Sequence, residues 1–281
     1  MNTNKLPKKK KKATKKKPAK KNTHHEKRMS ELLQGDSHES VIAFYDRCIP
    51  YVGTDLYILD LAAGIGLVAS SLSEKNYTKE IVAYDRNMEC MGKLHAHKKI
   101  SKCDDGDVNH LPFEANHFDV VICRYAFHHF EHKSETLREI NRVMKDTGLF
   151  LYSDPILPEH SKNIMNPLYH IREDNFHDFL GYFETIELLD KNGLQIFLSR
   201  PYKYRYSDFQ TFLEGVEDGF LKKPPSKGAV DCLKLKIENS WKQLDPKTKM
   251  EMDINTEGKL LGPTYNLVDF AIVKKSSCSN K

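Results

Sequence analysis

The sequence predicts an α/β protein built on a doubly wound, mainly parallel sheet. Three observations support this prediction. Strand and helix patterns alternate between residues 56 and 153, a glycine-containing turn follows the first strand, and acidic residues stand at the ends of successive strands. With 281 residues, the chain is long enough for one sizeable core with a smaller cap.

The first strand, turn and helix form the unit around which the rest of the chain is arranged. Residues 56–61 are an apolar run that is too short for a helix, and residues 67–72 have a helical pattern. Gly64 and Gly66 lie between them, where the absence of a Cβ lets a ligand approach the backbone. Asp60 stands at the carboxyl end of the strand, which is where open α/β sheets bind their ligands.

The remaining elements are predicted in order along the chain. A helix over 37–49 precedes the sheet, and later strands are expected at 80–84, 100–103, 118–123 and 149–153, separated by helices at about 87–98 and 135–145. The run Asp146-Thr147-Gly148 is predicted to stop the second of these helices. The alternation then breaks. The pattern indicates an irregular or helical segment at 155–180, a helix at 184–192, a strand at 194–198, a mainly helical segment at 203–245 and a final strand at 267–273.

Charge divides the chain into two parts. Residues 1–28 contain 12 Lys, one Arg and one Glu, a net charge of +12, which leaves −7 for the rest of a chain whose formal charge is +5. This segment has no apolar periodicity, so we expect a disordered Lys-rich tail followed by one domain over 29–281. The tail is the candidate for weak, nonspecific contact with nucleic acid or an acidic surface.

The composition also bears on location and on metal binding. No apolar run approaches the ~20 residues of a membrane helix, and the basic N-terminus has no apolar segment of the kind found in secretory signals. The six cysteines are scattered without a C-x-x-C pair, which is typical of reduced thiols. We therefore expect a cytoplasmic protein with no membrane span and no metal site.

Three acids occupy matching places after successive strands. Asp60 and Asp85 end the first and second strands, Asp107 follows the third, and these strand ends share one edge of the sheet. An acid after the second strand can accept both hydroxyls of a ribose. The spacing fits a dinucleotide, because residues 64–69 match G-x-G-x-x-G/A with an acid about 20 residues on. It also fits S-adenosylmethionine, which we favour because Asp60 suits a positively charged amino group and would repel a pyrophosphate.

Residues 58–154 resemble a class I S-adenosylmethionine-dependent methyltransferase, of the branch related to the ubiquinone and menaquinone biosynthesis C-methyltransferases. Five stretches carry the resemblance, in family order and spacing. They are Leu59-Asp60-Leu61-Ala62-Ala63-Gly64-Ile65-Gly66, Val82-Ala83-Tyr84-Asp85, Gly106-Asp107 with Leu111-Pro112-Phe113, Phe118-Asp119-Val120-Val121 with His128-His129, and Leu137-Arg138-Glu139-Ile140-Asn141-Arg142-Val143-Met144-Lys145. Ala62 and Ile65 depart from the family's turn, which has a glycine and a hydroxyl residue there.

The resemblance implies a seven-stranded class I sheet with a helical cap formed by the 155–180 and 203–245 insertions. It implies S-adenosylmethionine as the cofactor. Asp60, Gly64 and Gly66 would hold the methionine end, Asp85 the ribose, Asp107 with Val108 the adenine, and Arg124 would form the wall after the fourth strand. Ala62 and Arg86 are further candidate cofactor-binding residues. It further implies methyl transfer, for which we expect a small-molecule acceptor. The candidate catalytic residues are His128 and His129, one of which would serve as general base or substrate ligand. His170, Arg172 and His177 are candidates for acceptor contact.

Other functions remain open at this point. A nicotinamide-dependent oxidoreductase would bind a pyrophosphate at the glycine turn, and a nucleic-acid or protein methyltransferase would dock its substrate through the Lys-rich tail. A scaffold protein would bind the cofactor without turnover. The stretch Cys123-Arg124-Tyr125-Ala126 stands where nucleic-acid methyltransferases have an Asn/Asp-Pro-Pro-aromatic motif, which disfavours that alternative.

Overall fold

The computed structural model of the chain describes residues 36–86, 98–103, 106–173, 175–205, 227–247 and 264–275. Three sequence predictions fall outside these residues: the disorder of the Lys-rich tail, nearly all of the helix expected at 87–98, and residues 206–226 of the second cap segment.

The described residues form a seven-stranded sheet, which confirms the predicted fold. Its strands are β1 (Leu56–Leu61), β2 (Thr78–Tyr84), β3 (Ile100–Cys103), β4 (Phe118–Arg124), β5 (Met144–Pro155), β6 (Leu194–Arg205) and β7 (Thr264–Lys274). They lie in the order β3-β2-β1-β4-β5-β7-β6. The first five pair in parallel, and β7 lies antiparallel between β5 and β6. The carboxyl ends of β1, β2, β4 and β5 therefore lie along one edge of the sheet.

Helices flank this sheet. They are α1 (Asp36–Cys48), α2 (Leu67–Ser73), α3 (Lys133–Val143), α4 (Glu159–Arg172), α5 (Tyr182–Lys191) and α6 (Lys227–Lys242), with short 3-10 helices at Ile49–Tyr51 and Phe127–His129. None of the helices in the described residues is long and apolar enough to cross a lipid bilayer. Within the same residues, Cys48, Cys123 and Cys232 are free thiols.

Alternate residues of the central strands pack into two separate cores. Ile58 of β1 lies in the core beneath α1 and α2, whereas Leu59 and Leu61 lie in the core on the opposite face of the sheet. This follows from the two-residue period of a strand. Asp60 shares its face with Ile58, so its side chain points towards α2. The strand's apolar run thus buries a carboxylate between the sheet and a helix.

The strand boundaries differ from prediction in two places. β5 begins at Met144, directly after α3, and residues 146–148 lie in an irregularity of its register with β4 rather than in a separate turn. A Cβ at Gly148 would lie 2.6 Å from Met144 Cγ, so the chain is tightly packed at this irregularity. β6 extends to Arg205, because pairing with β7 over its full length continues the strand into residues expected to be helical.

The segment from 155 to 180 leaves the sheet edge and returns to it. Ile156 pairs with Leu180 in an isolated parallel bridge, and the Leu157 amide donates to the Leu180 carbonyl at 3.0 Å. Between these points lies α4, which contacts α6. Lys162 of α4 also pairs with Glu184 of α5 at 2.5 Å. The segment is therefore anchored at its base above the carboxyl ends of the strands.

Candidate functional site

The turn after β1 has an unusual backbone. Ala62, Gly64 and Gly66 have φ values of +56°, +55° and +76°, so three of five consecutive residues are left-handed. Ala62 takes this conformation despite its Cβ, which disfavours it sterically. A Cβ built on Gly64 would meet no atom within 4 Å among the described residues. The turn therefore faces open space that a ligand can enter up to the backbone.

Asp60 is buried behind this turn and is 2% exposed. Its Oδ2 accepts a hydrogen bond from the Ala69 amide of α2 at 3.0 Å. Burial raises the pKa of Asp60 to about 7, and the nearby Asp85 also raises it, whereas the Ala69 hydrogen bond and the positive charge of Arg124 oppose the shift. A carboxyl group whose pKa lies near 7 is well suited to a cationic partner, because a nearby cation stabilises its ionised form.

Asp85 follows β2 and braces the same turn. Its Oδ2 accepts a hydrogen bond from the Gly64 amide at 2.8 Å, and the Ala63 amide donates to the Tyr84 carbonyl at 3.1 Å. The ends of β1 and β2 are thus tied together by two hydrogen bonds. Arg86, the next residue, is exposed, and its positive charge reaches His129.

Asp107 lies in a turn after β3 and is exposed. Its Oδ1 accepts a hydrogen bond from the Asn109 amide at 2.9 Å, which lowers the pKa of its carboxyl group, with a smaller contribution from His110. Val108 is partly buried against the core. Gly106 packs directly beneath the Tyr84 ring, where a Cβ would lie 1.5 Å from the Tyr84 hydroxyl. The Tyr84–Gly106 contact fixes the path of the chain into Asp107, and sequence reasoning missed it.

Arg124 at the end of β4 brings unsatisfied donors to the site. Its Nη1 donates to His38 Nδ1 at 3.1 Å, and its guanidinium lies 4.5 Å from the centre of the Tyr125 ring. Its Nε and Nη2 are buried and have no hydrogen-bond partner among the described residues. Burial, with the charge of Arg124, lowers the pKa of His38 to about 4, so this ring is neutral. Buried unpaired donors are costly, which is a reason to expect an acceptor to meet them.

The two candidate catalytic histidines lie in the 3-10 helix after β4. Asp154 at the end of β5 accepts two hydrogen bonds from His128, one from Nδ1 at 2.8 Å and one from the backbone amide at 3.0 Å. His129 Nδ1 donates to the Asn175 carbonyl at 3.1 Å. Burial lowers the pKa of His129 well below its ordinary value, with a further contribution from His128. The two ring centres are 4.1 Å apart.

The cap segment packs directly on this pair. The His177 amide donates to the His128 carbonyl at 2.8 Å, and the rings of Phe176 and Phe179 lie 5.9 and 5.0 Å from the His128 ring. His170 instead pairs with the exposed Asp178 at 2.8 Å. The side chain of Arg172 lies outside the described residues. The segment therefore encloses the histidine pair with aromatic side chains.

The structure brings most of the predicted residues together. Asp60, the turn, Asp85 and Arg124 converge at the ends of β1, β2 and β4, with Asp107 and Val108 beyond β2 and the histidines beyond β4. Sequence reasoning missed His38, Tyr84, Asp154, Glu173 and Asn175. Asp154 could have been found, because it ends a strand as Asp60 does. The other four carry no local signal.

Comparisons with known proteins identify a similar domain in this chain. Residues 59–152 match the family model described as a methyltransferase domain. An uncharacterised methyltransferase of Bacillus subtilis, YcgJ, is 30% identical over 145 residues, or 47% of this chain and 56% of its own. A demethylmenaquinone methyltransferase of Thermotoga maritima is 29% identical over 124 residues, or 44% of this chain and 54% of its own. The chain thus matches about half the length of each of these curated relatives.

A solved structure extends the likeness to most of the chain. The crystal structure of the YcgJ protein covers 85% of this chain and 99% of its own, with a TM-score of 0.65 and 21% identity. At this identity the likeness concerns the fold alone. Residues 59–152 thus match a methyltransferase domain, and the fold around them is similar to that of the YcgJ protein.

Proposed function

We propose that this protein is an S-adenosylmethionine-dependent methyltransferase that acts on a small-molecule acceptor. The observation that carries the proposal is the joint position of Asp60 and Asp85 around an open, left-handed turn. One carboxylate is buried behind the turn and the other braces it from the neighbouring strand. The match of residues 59–152 to the methyltransferase domain supports the same reading.

The residues present fit this cofactor. The buried Asp60 carboxylate has no lysine or arginine hydrogen-bonded to it among the described residues and suits a cationic amino group. Gly64 leaves space for close approach, and the Nε and Nη2 of Arg124 supply donors to an acceptor group. Asp85 takes the ribose, and Asp107 with Val108 takes the adenine, with Ala62, Gly66 and Arg86 completing the surroundings. When bound, the cofactor supplies an electrophilic methyl group on a sulfonium.

The acceptor is proposed to lie between the cofactor region and the cap segment. His128 and His129 face this region from the end of β4, and Phe176 and Phe179 close it from the cap. The aromatic enclosure favours a small acceptor that loses its water on entry. Neutral imidazole can take a proton from a hydroxyl or amine acceptor, and Asp154 orients the His128 ring for this role. Much of the rate enhancement would come from holding two reactants in line.

The alternative cofactor is a nicotinamide dinucleotide. Its pyrophosphate would lie against the same turn, next to Asp60 and Asp85. Two carboxylates there repel an anion, whereas they attract an amino group and accept from hydroxyls. The methyltransferase relatives add to this preference for S-adenosylmethionine. The cytoplasmic location and the tail's contact with polyanions stay predictions.

Cofactor binding is tested by calorimetry with the full-length protein. S-adenosylhomocysteine should bind in the micromolar range, roughly −8 kcal/mol, and NADH should not. Asp85→Ala should weaken binding by about 1.5–3 kcal/mol, the usual worth of hydrogen bonds to a charged group. Asp146→Ala is the matched control, because Asp146 is exposed and lies near the N-terminal end of β5, away from the carboxyl ends of the strands where the site lies. Binding of NADH in place of S-adenosylhomocysteine, or equal affinities in both variants, would overturn the assignment.

Methyl transfer is tested by turnover. Labelled S-adenosylmethionine is incubated with the protein and a metabolite extract, and labelled products are identified by mass. His177→Ala should lower turnover while leaving S-adenosylhomocysteine affinity unchanged, because His177 lies on the cap and not at the cofactor turn. A fall in both quantities would make the cap a structural element only. Cofactor binding with no labelled product from any extract would favour the scaffold alternative.

A further inference from the structure

We propose that His128, His129 and Glu173 bind a divalent transition metal ion. One ring nitrogen of each histidine and one carboxylate oxygen of Glu173 lie within 4.8 Å of one another. His128 and Glu173 are buried, at 8% and 6% exposure, and His129 is half-buried. The three residues come from two parts of the chain: both histidines lie in the 3-10 helix after β4, and Glu173 directly follows α4. This site was not predicted, because 44 residues separate His129 from Glu173 in the sequence.

The hydrogen bonds around the two rings determine which nitrogen of each ring is available to a metal. A backbone carbonyl only accepts, so the bond from His129 to the Asn175 oxygen places the proton on Nδ1. Asp154 holds His128 Nδ1 in the same way, at 2.8 Å. In the neutral rings, the lone pair of each histidine is therefore on Nε2. Metal-binding histidines nearly always donate their other ring N–H to a carboxylate or a backbone carbonyl, and this pair shows one of each.

Charge and surroundings are compatible with a dication. Glu173 supplies a negative charge as a ligand, and Asp154 supplies another through its hydrogen bond to His128. Arg86 and His177 are positively charged or titratable groups that act electrostatically on His129. Phe176 and Phe179 pack against the His128 ring, while His129 is partly exposed. Two histidines and one glutamate are a ligand set of catalytic zinc sites, in which three protein ligands leave one position open. The same set suits other first-row divalent ions.

The open position gives the site a role in the reaction, and this part rests on the proposed function. A hydroxyl or thiol of the acceptor would bind there and lose its proton to solvent, because coordination lowers its pKa. The acceptor would then be activated by the metal and not by an imidazole base. Binding the metal and accepting a proton use the same Nε2 lone pair of each histidine. His128 and His129 therefore act as metal ligands, and not as general bases, when the metal is bound.

Metal binding is tested on chelator-treated, tag-free, full-length protein. We expect one equivalent of Zn²⁺ to bind in calorimetry, and one equivalent of Co²⁺ to give visible d–d absorption. Glu173→Gln should weaken Zn²⁺ binding at least tenfold by removing a ligand. Asp154→Asn should weaken it about 10–100-fold by loosening the His128 ring. His132→Ala is the matched control, since His132 is an exposed histidine three residues from the pair, and its affinity should stay within about twofold.

The thermal midpoint of each metal-free variant shows whether it folds, and His129→Asn provides a second ligand variant if one fails. His24 and His25 in the tail are shared by all forms, so they cannot produce a difference between variants. Equal Zn²⁺ affinity in wild type, Glu173→Gln and His129→Asn would overturn the site, as would no saturable binding by wild type. S-adenosylhomocysteine affinity is measured separately on the same samples, so a failed metal site is distinguished from a failed cofactor assignment.

Discussion

Asp60→Asn should change how the stability of this protein depends on pH. The wild-type carboxyl is 2% exposed, and burial raises its pKa from 3.8 to about 7. Below pH 4 it is protonated in both the folded and the unfolded chain and contributes nothing. Between pH 4 and 7 the unfolded chain releases the proton while the folded chain keeps it, so the free energy of unfolding falls. Above pH 7 the loss is complete.

The magnitude follows from the size of the shift. A shift of about three units, at about 1.4 kcal/mol per unit, lowers the stability of the wild type by about 4 kcal/mol between pH 4 and pH 8. Asparagine does not titrate, and its side-chain oxygen can still accept from the Ala69 amide. The stability of Asp60→Asn relative to wild type should therefore rise by that amount over the same pH range.

Urea unfolding at pH 4.5, 6, 7 and 8 measures this difference, with Asp146→Asn as the control because Asp146 is exposed. The control's curve should run parallel to wild type. Calorimetry in two buffers of different ionisation enthalpy adds a second readout. S-adenosylhomocysteine carries an amino cation, so its binding near pH 6.5 should release a proton in wild type and none in Asp60→Asn. If the stabilities of Asp60→Asn and wild type change in parallel with pH, the pKa of the buried Asp60 carboxyl is not raised, and the reasoning is refuted.

Three further outcomes are expected. Gly106→Ala should lower stability by about 1–3 kcal/mol, since its Cβ would overlap the buried Tyr84 ring, and thermal unfolding measures the loss. Tyr45→Phe should cost about 1–2 kcal/mol in urea unfolding, because it removes a hydrogen bond of 2.7 Å to the buried Ser153 hydroxyl. Deleting residues 1–28 should leave the thermal midpoint unchanged and abolish DNA binding. For the full-length protein, the logarithm of the DNA-binding constant should fall with the logarithm of salt concentration, with a slope of about −0.9 per phosphate neutralised. Equal DNA binding by the full-length and truncated proteins would place the basic surface on the folded domain.

The local pattern was enough to predict the central sheet. β1 and β3 have the predicted bounds, and β2 and β4 differ by two residues or fewer. These strands are short apolar runs bounded by turns, so period and length identify them without tertiary information. The strand-end acids could be predicted for the same reason, since parallel strands bring their carboxyl ends to one edge. The resemblance of residues 58–154 to a known family then supplied the seven-stranded fold.

Tertiary packing decided the state of each of these acids. Asp60, Asp85 and Asp107 look alike in the sequence, yet one is buried with a pKa of about 7 and another is exposed with a lowered pKa. The difference arises because Asp60 points towards α2, whereas Asp107 is exposed in a turn where the Asn109 amide donates a hydrogen bond to it. Burial and hydrogen bonding depend on neighbours that are distant in the chain, and a pattern of residue types does not contain them.

The histidine pair shows the same division. Its position after the fourth strand was evident from the sequence, and so was its candidate role. The partners that fix its chemistry come from the end of β5 and from the cap, 26 residues from His128 in the case of Asp154 and 44 from His129 in the case of Glu173. By itself the sequence determined the strands, the turn and the order of the acids along the sheet edge. Only the tertiary structure decided which side chains meet across that edge, because the return of the cap segment to Ile156 and Leu180 is a long-range contact.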